Sequence, residues 1–77
     1  GFEALVFKER KKGYSIVMIF EDGTTPEIIA HESLHVVTYV FDRCCMTISN
    51  NNDESAAYLL GWVVEKCHKV LKLKQKL

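Results

Sequence analysis

The stretch TPEIIAHESLHVVTYVF (residues 25–41) decides the fold, because a helix start signal is followed by helical periodicity. Either of the two threonines before Pro26 can cap a helix, and Pro26 and Glu27 then fall in its first turn. That is the chemistry a helix N-terminus prefers. We therefore predict a helix that runs to about Phe41 or Arg43.

A second helix is predicted after an asparagine-rich loop. The cluster Asn50-Asn51-Asn52-Asp53 is typical of a loop that ends in a helix cap. From Asp53 to about Leu73 the apolar residues recur at helical spacing. They form the stripe Ala56, Leu59, Leu60, Val63, Cys67, Val70 and Leu71.

Two strands are predicted before the helices. Phe2 to Glu9 is apolar with rough alternation, a charged turn ends in Gly13, and Tyr14 to Phe20 alternates cleanly. Because an isolated hairpin is marginal in water, the helices must cover it. The predicted fold class is α+β, a β-hairpin packed on two antiparallel helices in the order ββαα, forming a single domain over residues 1–77.

The predicted core combines the hairpin face with one stripe from each helix. Trp62 is expected to join it, and Gly61 is expected to let the helices approach closely. The core residues predicted by periodicity are Ile16, Met18, Phe20, Leu34, Val37, Leu60 and Val63.

Composition narrows the classes of function. The 77 residues are 48% hydrophobic and carry no formal net charge, which favours a globular domain and predicts neither nucleic acid nor a membrane as partner. Three cysteines, two of them adjacent, make a poor disulfide framework. We expect free thiols and a cytoplasmic location.

The motif with a clear chemical meaning is HESLH, residues 31–35. His31 and His35 are one helical turn apart, so both imidazoles leave the same face and can reach one metal ion. In the arrangement of zinc peptidases, a Glu at the position of Glu32 does not ligate the metal. It takes a proton from the water that the metal activates. The alternative is a helix with two surface or half-buried histidines.

A catalytic zinc ion needs a third protein ligand. A metzincin would place a Gly and a further His where this chain has Thr38 and Phe41, so that pattern is excluded. A gluzincin takes a Glu from the next helix, and Glu54 opens the second predicted helix. The alternative is that Glu54 only interacts with the helix dipole.

The motifs HESLH and NDESAAYLLGW (residues 52–62) resemble the small gluzincins, including ImmA/IrrE-type metallopeptidases and compact phage or prophage zincin-fold proteins. The resemblance implies Zn²⁺ held by His31, His35 and Glu54, with Glu32 as general base. It further implies that Ala57 and Tyr58 pack between the helices, although larger gluzincins often have an Asp where Tyr58 stands.

Two hypotheses follow. The first is a minimal zinc-dependent metallopeptidase that acts on a peptide or protein substrate, with the strand Tyr14–Phe20 as the edge of its cleft. Tyr39 then either donates a hydrogen bond to the transition state or has a structural role. The second is a catalytically inactive zincin-scaffold module with a binding or regulatory role. The sequence leaves the oligomeric state open.

Overall fold

A computed structural model describes residues 2–8 and 15–76, including the side chains of residues 15–71. The turn predicted to end in Gly13 lies outside these residues. The element order is ββαα, as predicted. The elements are β1 (Phe2–Lys8), β2 (Ser15–Glu21), α1 (Pro26–Arg43) and α2 (Asp53–Lys76).

Strands β1 and β2 form an antiparallel two-stranded sheet in which Leu5 lies opposite Met18 and Val6 opposite Val17. The period of two along β2 turns Met18 and Phe20 into the core and leaves Val17 exposed. Strand β1 lies against α2. One face of the sheet is therefore covered by helices, as the marginal stability of a lone hairpin requires.

Both ends of helix α1 are capped by hydrogen bonds at the positions that the sequence predicts. The Thr25 hydroxyl accepts a hydrogen bond from the Ile28 N–H at 3.3 Å, and Pro26 fills the first position. At the other end, the Met46 N–H donates to the Phe41 carbonyl at 2.8 Å. The Cys45 N–H donates to the Asp42 carbonyl, so the helix ends in a Schellman motif.

Two features shape the connection to α2. Cys45 adopts a left-handed conformation with φ of 57°, at a position where helices usually place glycine. The Asn52 side chain then closes the loop, because its carbonyl accepts from the Ser49 N–H at 2.8 Å and its amide donates to the Thr47 carbonyl at 2.9 Å. The asparagine cluster thus folds the loop that leads into Asp53.

The core consists of two adjoining clusters. The first joins the sheet to both helices, and the second fills the space between the C-terminal end of α1 and the start of α2. The buried members of the first are Met18, Phe20, Ile29, Val36, Val63 and Cys67, and those of the second are Val37, Phe41 and Ala56. Partly buried Ile16 and Leu60 pack against them.

Three core predictions are wrong. Leu34 is 50% exposed and Trp62 is 47% exposed. A Cβ built on Gly61 would have no neighbour within 4 Å among the described atoms, so this glycine does not serve helix contact. In place of Leu34, the fully buried Ser33 faces α2, where its Oγ lies 3.8 Å from the Sγ of Cys67. A small side chain at that point lets the helices meet.

All three cysteines are free thiols, as predicted. Cys44 and Cys45 are exposed, whereas burial raises the pKa of the Cys67 thiol. The Cys67 Sγ lies 3.8 Å from the Sδ of Met18, which ties α2 to the sheet. In the described part of the chain, no helix has the length and apolar character needed to cross a membrane.

Candidate metal and cleft site

His31 and His35 lie side by side on the exposed surface of α1. Their Nε2 atoms are 3.2 Å apart, and their rings meet edge to face with centroids 4.8 Å apart. At this distance an Nε2–H of one ring can donate to the unprotonated Nε2 of the other. The predicted pairing of the two imidazoles is therefore present.

The core determines which way this pair faces. Ile29 and Ser33 are buried on one side of α1. At 3.6 residues per turn, His31 and His35 fall on the opposite side of the helix. Within HESLH, Ser33 therefore lies in the core, whereas the two histidines are exposed to solvent.

Glu32 and His35 share an open groove with strand β2. The groove has a volume of about 290 Å³ and is lined by five consecutive strand residues, 16–20, together with Glu32, His35, Val36 and Tyr39. Because alternate strand side chains point to opposite faces, a groove that all five line must run along the strand edge. In the described residues β2 pairs with β1 alone, so this edge has free backbone hydrogen-bonding groups.

The separation of the two histidine Nε2 atoms matches two positions of a tetrahedral zinc ion. Zn–N bonds of about 2.0–2.1 Å at tetrahedral angles place two nitrogens about 3.3 Å apart. The observed Nε2–Nε2 distance of 3.2 Å needs almost no adjustment to match this. The neutral imidazole is a common zinc ligand, so the chemistry of the donors fits as well.

Glu54 does not join the histidines. Within residues 2–8 and 15–76, no group of three or more His, Cys, Asp or Glu side chains is arranged to hold a metal ion. The reason is the register of the helices. Ala56, close to Glu54, packs in the cluster of Phe41, and Phe41 lies about 9 Å along the axis from His35 and about 15 Å from His31. The ligand role of Glu54 stays a prediction from the sequence.

The packing implied for the residues after Glu54 is wrong. Tyr58 is 78% exposed and Ala57 is exposed, so neither packs α2 against α1. Trp62 follows Tyr58 by one turn, and the Lys66 ammonium lies 5.4 Å from the centroid of its ring. These side chains belong to the outer face of α2, and Ala56, Leu59 and Val63 provide the packing instead.

Sequence reasoning gave Tyr39 no firm role, yet it lines the groove beside Glu32 and His35. The signal was its position one helical turn after His35 on the same face. Val36 was absent from the predicted core, although it is buried between the groove and the sheet.

Compared with models of known protein families, with curated protein sequences and with solved structures, the chain shows no significant match.

Proposed function

We propose that this chain is a zinc-dependent hydrolase of the HExxH type that cleaves peptide bonds on a minimal zincin-like scaffold. The observation that carries the proposal is the 3.2 Å separation of the His31 and His35 Nε2 atoms, next to a groove that also contains Glu32. Without that juxtaposition the sequence motif would be a helix with two surface histidines.

Each residue of the site has a distinct task. His31 and His35 hold the ion through their Nε2 atoms. An ion bound there supplies Lewis acidity, which lowers the pKa of water and polarises a carbonyl group. The Glu32 carboxylate accepts the proton from the attacking water and passes it to the leaving amine. The free edge of β2 aligns an extended substrate by main-chain hydrogen bonds.

The cytoplasmic location expected from the free cysteines remains part of this proposal. A peptide or protein substrate fits a groove bounded by a strand edge, since the backbone of any extended peptide offers the donors and acceptors that such an edge lacks. The exposed apolar side chains of Val17 and Ile19 flank the groove and give it contact area for apolar substrate side chains.

The test is hydrolysis of a fluorogenic peptide mixture by zinc-loaded protein, with Glu32→Gln as the matched control. The Gln side chain keeps the shape of Glu32 but cannot take a proton. We expect it to retain bound zinc, measured by mass spectrometry of the metal, and to lose about 10²–10⁴-fold in rate. Equal rates for wild type and Glu32→Gln would refute the proposal.

A second candidate is an inactive zincin-scaffold module that binds a partner or regulates it. It is favoured by the separation of Glu54 from the histidine pair, which leaves two protein ligands together where a catalytic zinc usually has three. The same experiment separates the candidates, since the module predicts bound zinc with no hydrolysis by either protein.

A further inference from the structure

We propose that zinc links two copies of this chain, with His31 and His35 of each copy supplying four ligands to one ion. This goes beyond the proposed hydrolase, because it describes a second state of the same histidines in which no coordination position stays open for water. A hydrolase built on this pair would be inactive in that state, and the linked dimer would be its closed form.

The first argument is the incomplete ligand set. At its spacing of 3.2 Å the pair matches two positions of a tetrahedral ion, and structural zinc sites have four protein ligands. No third His, Cys, Asp or Glu of the described residues joins the pair. A second, identical pair related by a two-fold axis through the ion supplies the two missing nitrogens.

The second argument is access. His31 and His35 are exposed on the side of α1 that faces away from the core. No described element covers this side, so another α1 can reach the pair without any rearrangement of the chain. Because the two histidines of each copy are stacked along α1 and opposite edges of a tetrahedron are perpendicular, the two helices cross at the ion.

The third argument is the two exposed apolar side chains on either side of the histidine pair, Ile28 and Tyr39, which we call the collar. Ile28 precedes His31 by about one turn and is 46% exposed, and Tyr39 follows His35 by about one turn and is 45% exposed. Where the two helices cross, Ile28 and Tyr39 of each copy flank the ion. A two-fold axis through the ion brings the same patch of both copies together, as in an isologous interface.

The collar alone is too small to hold a dimer. One helix face with two large apolar side chains offers much less than the roughly 1,200 Å² that stable interfaces bury. Association should therefore depend on the metal, and chelator should return the protein to monomers. This dependence distinguishes the proposal from ordinary apolar self-association.

The experiment measures molecular mass by sedimentation while zinc is added to the metal-free protein. We expect one chain of 8.8 kDa without metal and a doubled mass when there is one zinc ion for two chains. In a large molar excess of zinc the mass should return to that of one chain. Each histidine pair then holds its own ion, and no free pair remains to complete the site of another copy. A dimer maximum at this ratio is the signature of a bridging ion.

Variants make the test specific. His31→Ala and His35→Ala should abolish the doubling, whereas Glu32→Gln and Glu54→Gln should retain it. Ile28→Asp should weaken the dimer while leaving binding of one zinc ion per monomer intact. A mass that stays at one chain at every zinc ratio overturns the inference, as does a dimer that persists in the histidine variants or in excess zinc.

The two proposals fail separately. A protein that stays monomeric at every zinc ratio, binds one zinc ion per chain and hydrolyses peptides supports the proposed function and overturns the dimer. A zinc-linked dimer with no hydrolysis at any zinc ratio supports the dimer and overturns the hydrolase.

Discussion

The inner and outer faces of α1 differ in what fixes their side chains. Ile29, Ser33 and Val37 on the inner face are held by contacts with the sheet and α2. His31 and His35 on the outer face are exposed and lie against each other. The inner face thus carries the stability of the fold, while the outer face is free to carry chemistry at little cost to folding.

The largest effect should come from removing an inner-face anchor. Phe41→Ala opens a cavity in the second core cluster and should cost about 3–5 kcal/mol, enough to unfold much of a domain this small. Leu34→Ala, on the same helix but half exposed, should change stability by less than about 0.5 kcal/mol. Urea unfolding followed by circular dichroism measures both, and similar losses would contradict the division of the faces.

Zinc bound at the outer face of α1 should stabilise the folded protein. At a free concentration a hundredfold above Kd, an ion bound only to the native state adds about 2.7 kcal/mol. His31→Ala and His35→Ala should each remove the resulting rise in melting temperature, while Glu32→Gln should keep it. If Glu32→Gln loses it as fully, the division of roles within HESLH is wrong.

The same melting experiment decides the role of Glu54. From its place beside the far end of α1, we expect Glu54→Gln to keep the zinc response. A lost response would mean that α2 moves on metal binding and restores the three-ligand set predicted from the sequence. Scans with chelator provide the baseline for each variant.

A smaller effect, a gain in stability, is expected at the C-terminal end of α1. Cys45 adopts a φ of 57°, which glycine accepts without the clash that a Cβ suffers, so Cys45→Gly should raise stability by about 0.5–1 kcal/mol. The neighbouring Cys44 has an ordinary φ of −88°. Cys44→Gly is therefore the matched control, and it should give no gain in urea unfolding. A gain from both would point to loss of the thiols and not to the backbone.

The smallest effect concerns the outer face of α2. A hydrogen bond from Lys69, at 2.8 Å, together with its charge lowers the pKa of Glu65. This stabilisation is present above the pKa of the unfolded carboxyl and is lost as pH falls through the lowered folded value. Lys69→Met should therefore melt slightly below wild type at neutral pH, and the gap should close in acid. Added salt should shrink the gap too, since both groups are exposed.

The sequence alone determined where the helices of this protein begin. The cap before Pro26, the asparagine cluster before Asp53 and the period of two along β2 act over a few residues, so they are readable without tertiary contacts. Helical spacing also fixed the pairing of His31 with His35, because residues four apart are neighbours on any helix.

The tertiary structure decided which side chains of the helices are buried and which residues of different elements lie close together. Periodicity marks a broad apolar stripe, but α1 must touch both the sheet and α2, and that choice buried Ser33 and exposed Leu34. Likewise, Glu54 lies in the first turn of the second helix in any reading of the sequence. Its position relative to the histidines depends on the register between α2 and α1, in which Ala56 packs in the same cluster as Phe41.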